Sequence, residues 1–115
     1  MPEMLYIPQA IEQAGGNPEL AKELFTMLLN ELPDQKEKLN QAFARGDNKA
    51  IWDHTHKLYG STAYCGVPAL RKAARELEET TKAQTDDVSN KIRAVNKAID
   101  DLLMDGQTVL EQDWY

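Results

Sequence analysis

Two histidines stand two residues apart in the segment HTHKLYGSTAYCG, which runs from His54 to Gly66. Imidazole is the side chain that acts as nucleophile, proton carrier or metal ligand near neutral pH. On a helix each residue turns by about 100°, so the two rings can be placed. Ile51, Thr55, Leu58 and Thr62 fall within about 60° of arc and mark the inward face. His54 lies roughly 70° from the centre of that face and His56 roughly 130° away. His56 therefore projects into solvent, whereas His54 reads as a partly buried packing residue that hydrogen-bonds locally. One turn beyond His56 on the same side stands Gly60, with Ala63 following it. A mid-helix glycine costs about 1 kcal/mol relative to alanine and asks for a reason. One reason is clearance: Gly60 and Ala63 leave a bare strip along which another protein's backbone can approach the imidazole. That arrangement suits attack by His56 Nε2 on a phosphoryl group held by a partner. The bland alternative is a solvated histidine beside a tolerated glycine.

Other chemistries fit less well. His54 and His56 point about 200° apart on a helix, so they do not share one metal ion, and no second ligand cluster is evident. No native metal site is expected. Cys65 closes the segment as a small buried hydrophobe, with no orienting acid or oxyanion hole to make it a nucleophile. The chain has no glycine-rich nucleotide loop of the GxxxxGK[ST] type and no acidic cluster near His56 suited to Mg2+.

The elements that must position these residues are helices. Residues 8–14 form a short one, stopped by Gly15-Gly16. Asn17-Pro18-Glu19 supplies an N-cap, a proline at the first helical position and an acid in the first turn. A long helix then runs from Pro18 to Arg45 on a stripe of Leu20, Leu24, Leu28, Leu32, Leu39 and Phe43, with Phe25 and Met27 beside it. Pro33 kinks it near residues 29–32, and the stripe resumes in phase beyond, so it remains one helix. Asp47 caps a third helix from Asn48 to Tyr64. A fourth runs from Pro68 to Lys82 with Leu70, Ala73, Ala74 and Leu77 inward. The last, from Asp86 to Met104, carries Val88, Ile92, Val95, Ile99, Leu102 and Leu103. The tail GQTVLEQDWY, residues 106–115, frays or packs loosely, and Trp114 and Tyr115 are packing or tail aromatics. The whole is all-α: an antiparallel up-down-up-down four-helix bundle with a short extra N-terminal helix, one domain over residues 1–115 with a core at about 8–105.

Composition narrows the function classes. The 115 residues suit one domain without an enclosed substrate chamber. Acids outnumber bases 19 to 13, a net charge of −6, so nucleic acid is an unsuitable partner. No apolar run approaches the ~18 residues of a membrane span, and the single cysteine suits a reducing, cytoplasmic setting.

The hexapeptide His56-Lys57-Leu58-Tyr59-Gly60-Ser61 resembles the motif of histidine phosphotransfer (HPt) domains. There the phosphorylated histidine precedes lysine, a hydrophobic residue, often a second lysine, and glycine. The longer stretch HKLYGSTAYCGVPALRKAARELE, with NPELAKELFTMLLNELPDQ before it, is similar to the C-terminal HPt domain of BarA/GacS-type hybrid sensor kinases, and the likeness covers about residues 5–85. It implies His56 as the phosphorylation site, Lys57 as a nearby positive charge and Gly60 as docking clearance. Tyr59 departs from the pattern, standing where many members have the second lysine, and a half-buried packing role suits it better.

The reading that follows is a phosphorelay carrier exchanging a phosphoryl group between His56 and the aspartate of receiver domains in two-component signalling. It has no kinase or ATP-binding activity of its own and binds no cofactor; the receiver supplies Mg2+. Tyr59, Trp52, Gly60 and Ala63 border the docking face, Trp52 near Tyr59. Arg71, Lys72 and Arg75 form either a positive rim or an ordinary solvated face. A monomer is expected, without membrane contact of its own, as the cytoplasmic part of a membrane-anchored kinase or free-standing. The rivals are a helical module that binds receivers without carrying phosphate, and a dimerising structural bundle.

Overall fold

The computed structural model describes residues 5–83 and 87–114, and among them all regular structure is helical. Five helices follow in order: α1 Ile7–Gln13, α2 Pro18–Ala44, α3 Asn48–Ser61, α4 Pro68–Ala83 and α5 Val88–Leu110. The expected caps are present. Asn17 Oδ1 accepts from the Leu20 amide at 3.1 Å, and Asp47 Oδ1 from the Ala50 amide at 3.0 Å. α2 continues through Pro33 as one helix. The expected first residue of the last helix, Asp86, and the tail residue Tyr115 lie outside the described residues.

Each of α2 to α5 packs on its chain neighbour, α5 closes the ring against α2, and α1 lies on α2. Among the described residues the backbones of α2 and α4, and of α3 and α5, stay apart across the core, as in a four-cornered antiparallel bundle. Its axis holds Phe25, Leu32, Leu39, Ile51, Thr55, Leu58, Leu70, Leu77, Ile99 and Leu102, all fully buried. Thr55 is tolerated there because its hydroxyl donates to Ile51 O at 2.6 Å.

Three expectations need correction. The buried line of α2 is Ala21, Phe25, Leu28, Leu32, Leu39 and Ala42, so Leu20, Met27 and Phe43 are exposed. The alanines at 21 and 42 turn the inward face by one residue, a shift that a search for large apolar side chains overlooks. Leu103 is likewise exposed on α5. Second, α3 stops at Ser61 rather than Tyr64. The Thr62 and Ala63 amides reach only three residues back, to Tyr59 O and Gly60 O, and the chain tightens into a turn.

Third, the tail does not fray. α5 continues to Leu110, and Trp114 is buried with its ring 5.9 Å from that of Phe25 and its indole N–H donating to Val109 O at 3.1 Å. Gly106 lies inside this helix at a close interhelical contact: a Cβ there would lie 2.7 Å from Leu29 Cδ1.

The α3–α4 turn is pinned by α1. Gly66 has φ +62°, and a Cβ on it would lie 2.7 Å from the backbone nitrogen of Ala10. Its carbonyl accepts from the Tyr6 amide at 2.8 Å, and its own amide donates to Gln13 Oε1 at 2.9 Å. A left-handed backbone costs a non-glycine residue roughly 1–2 kcal/mol, and overpacking a further 1–3. Gly66→Ala is therefore expected to destabilise the domain by about 2–5 kcal/mol in urea unfolding. A loss below about 1 kcal/mol would refute this role for the turn.

Candidate functional site

α3 buries Ile51, Thr55 and Leu58, and this places His56 on the outer side of the helix with 61% of its side chain exposed. Its Nδ1 lies 2.5 Å from Oε1 of Glu78 on α4, a carboxylate only 18% exposed. A carboxylate can only accept, so in the neutral ring Nδ1 carries the proton and the lone pair resides on Nε2. An exposed pair of this kind contributes on the order of 0–1 kcal/mol to stability. Its consequence is orientation: Glu78 selects the tautomer whose free nitrogen is the outer one.

A second restraint comes from Trp52, one turn earlier on α3. Its indole stacks on the imidazole with ring centroids 4.9 Å apart and planes 7° from parallel. Beyond His56 on the other side the surface is open. Gly60 has ordinary helical geometry, and a Cβ on it would meet nothing within 4 Å. Neither backbone conformation nor packing inside the domain demands glycine at this position. Gly60 also lines a shallow depression between α2 and α3 with Met27 and Tyr64, which are 56% and 61% exposed.

The remaining candidates are dispersed. Lys57 is exposed and lies with His54 over a separate depression lined by Glu31, Asp34 and Lys38 of α2. His54 is half-buried as expected, but among the described residues its imidazole makes no hydrogen bond, so the expected local bond is not found. Ala63 is half-buried in the turn beyond the shortened α3. Tyr59 is half-buried against the core, as expected, beneath the guanidinium of Arg71, which stands 4.2 Å from its ring centre. Arg71 Nη1 also donates to Tyr59 O at 3.3 Å and Thr62 Oγ1 at 3.2 Å. Arg75 pairs with Glu79 at 3.1 Å. Arg71, Lys72 and Arg75 do meet around one depression, with Tyr59, Gln9 and Gln13, but His56 does not line it. Trp52, expected to border the docking face near Tyr59, stacks on His56.

The alternative nucleophile is disfavoured by its surroundings. Burial pushes the Cys65 thiol up to about 11, the negative charge of Glu31 adds to the shift, and a hydrogen bond from the Tyr64 backbone opposes it. Near neutral pH the sulfur stays protonated and weakly nucleophilic. Among the described residues no three His, Cys, Asp or Glu side chains are grouped to hold a metal ion.

Glu78 was not singled out by the sequence reading, although a signal existed. In an antiparallel pair, positions equally far from the turn face each other. The contacts Thr62 with Arg71 and His56 with Glu78 both centre on the turn near residue 66. Counting outward from Val67, eleven residues each way, finds Glu78 opposite His56.

Residues 23–105 match the model of the Hpt domain. The chain is 33% identical over 98 residues to the sensor protein GacS of Pseudomonas syringae pv. syringae, covering 85% of this chain and 11% of that protein. It is 33% identical over 76 residues to the signal transduction histidine-protein kinase BarA of Shigella flexneri, covering 66% of this chain and 8% of that one. The chain thus spans about a tenth of the length of these relatives. The crystal structure of the HPt domain from a sensor hybrid histidine kinase of Shewanella superposes with a TM-score of 0.87 at 30% identity, covering 96% of each chain. The family model covers most of the chain and includes both His56 and Glu78, and by this match the chain belongs to the Hpt, or histidine phosphotransfer, domain family.

Proposed function

We propose that this domain is a phosphorelay carrier in two-component signalling, accepting a phosphoryl group on His56 Nε2 and exchanging it with the aspartate of receiver domains. The observation that carries this reading is the exposed imidazole whose inner nitrogen is bonded to Glu78. In the forward step the Nε2 lone pair attacks phosphorus of the receiver's aspartyl phosphate. The N–P bond forms, the acyl P–O bond breaks, and its electron pair leaves with the aspartate carboxylate. The ring, still protonated at Nδ1, is then an N-phosphoryl imidazolium whose positive charge faces the Glu78 carboxylate. In reverse, an aspartate oxygen attacks phosphorus, the N–P bond breaks, and its pair returns to Nε2, leaving neutral imidazole. No proton has to move in either direction, which suits a reversible carrier.

The receiver supplies the aspartate and the Mg2+ that neutralises the transferred group, because phosphoryl transfer is catalysed by positioning and charge. This domain supplies the nucleophile and the approach. Gly60 keeps the surface low beside the ring, Met27 and Tyr64 offer apolar area next to it, and Lys57 adds a cation one residue away. Arg71, Lys72 and Arg75 form a positive rim around the depression beside Tyr59. The domain carries no kinase activity of its own and acts as a monomer within a cytoplasmic signalling protein.

The test is incubation with a phosphorylated receiver domain and Mg2+. Acid-labile, base-stable label is expected on wild type and His54→Gln and none on His56→Gln. A wild type that binds receivers but takes no label would make the domain a binding module instead; label lost only with His54→Gln would move the site to His54. Gly60→Ala separates docking from folding. It is expected to raise stability by about 0.5–1 kcal/mol, since the helix gains and nothing is displaced. It is also expected to raise the receiver concentration needed for half-maximal transfer about tenfold, equivalent to about 1.4 kcal/mol of docking energy. Faster or unchanged transfer would remove the clearance role from Gly60.

A further inference from the structure

The Trp52–His56 stack is not required by the bundle. Trp52 is half-buried at the α3–α4 seam, off the buried face of α3, where it lines a shallow depression with Asn48, Lys49, Asp53, Thr81 and Lys82. Thr81 beneath that depression is buried, with its hydroxyl donating to Leu77 O of the same helix at 2.8 Å. An indole wedged there and lying 7° from coplanar with the next ring along the helix restrains that ring.

The two restraints on His56 are of different kinds. The Glu78 hydrogen bond selects which nitrogen points inward, but a single bond at Nδ1 leaves the ring free to tilt about it. The indole plane removes the tilt. It also closes the N-terminal side of the imidazole, while Gly60 leaves the C-terminal side open. We infer that Trp52 is a positioning residue for phosphoryl transfer: it holds the His56 ring in the plane that aims Nε2 at a partner's phosphoryl group, instead of serving as part of the docking face. The inference rests on the carrier reading above.

Positioning has a kinetic signature that docking lacks. Within the complex the phosphorus is held by the receiver, so a ring free to tilt spends less time in line with it and the first-order transfer step slows. A freely diffusing small donor follows the ring wherever it points and is nearly indifferent to its tilt. Wild type, Trp52→Phe and Trp52→Leu would be compared in three assays: labelling of His56 by phosphoramidate, transfer from a phosphorylated receiver across a range of receiver concentrations, and thermal unfolding. For Trp52→Leu a fall of about tenfold in the saturating transfer rate is expected, with the half-saturating receiver concentration and the phosphoramidate rate within about twofold of wild type. Trp52→Phe, which keeps a flat ring, is expected to restore most of the lost rate, and both variants to melt within a few degrees of wild type.

A raised half-saturating concentration with an unchanged maximal rate would make Trp52 a docking residue and overturn the inference, as would a Leu variant with wild-type transfer or a Phe variant as slow as Leu. Wild type unlabelled by both donors would instead bring down the carrier reading, and this role for Trp52 with it.

Discussion

One hydrogen bond across two helices, from His56 Nδ1 on α3 to Glu78 on α4, is what the arrangement of the site depends on. Without it the proton of a neutral exposed imidazole exchanges between the two nitrogens; with it, Nδ1 is committed and Nε2 faces outward with its lone pair. The bond forms only if α3 and α4 pack in one register. Leu58, Leu70, Ala74 and Leu77 hold the seam from inside, while Gly66, clamped between Tyr6 and Gln13 of the α1 region, fixes the point about which the helices fold back. A slip of one residue along α4 would rotate Glu78 by about 100° and leave the imidazole without its partner. The short α1 thus acts on the site at a distance, through the turn it pins.

The rest of the bundle supplies rigidity with the same economy. Asn40 and Asn96 exchange reciprocal amide hydrogen bonds at 2.9 Å between α2 and α5. Lys36 meets Asp100 at 2.6 Å one turn away, and Gly106 admits Leu29 further along. The amide pair is half-buried and the ion pair exposed, so each adds little net stability, but both are made in one register of α2 on α5. Around His56 the logic differs: Gly60 gives up about 1 kcal/mol of helix stability for a surface that the domain itself does not use. Local features that weaken a fold without internal compensation mark places where something external makes contact.

Much of this was legible in the residues. Helical periodicity, the caps at Asn17 and Asp47, and the glycine and proline stops delimited α1, α2 and α4 closely and the start of α3, and the wheel of α3 separated His56 from His54. The failures have physical causes. Leu20, Met27 and Phe43 were assigned inward because large side chains were weighed and Ala21 and Ala42 were not, although small residues mark the closest helix approach. The last helix was ended at Met104 because the apolar stripe stops there, whereas the packing of Gly106 on Leu29 and of Trp114 on Phe25 is a tertiary contact that periodicity does not carry. Glu78 and the Trp52 stack are pairwise facts: composition and periodicity say which face a residue occupies, not which side chain it meets there. The cationic rim is a related case, because Arg71 spends its guanidinium on Tyr59 and Thr62 before any partner arrives.

The central claim is that Glu78 commits the His56 ring to one tautomer with Nε2 free. The most direct measurement is the tautomeric state of His56 by 15N NMR of the imidazole nitrogens at mildly alkaline pH, in wild type and in Glu78→Ala. The account requires a proton on Nδ1 and an unprotonated Nε2 in wild type, and a shift to a mixture of tautomers when Glu78 is removed. A wild-type ring protonated at Nε2, or a tautomer unchanged by loss of Glu78, would contradict it.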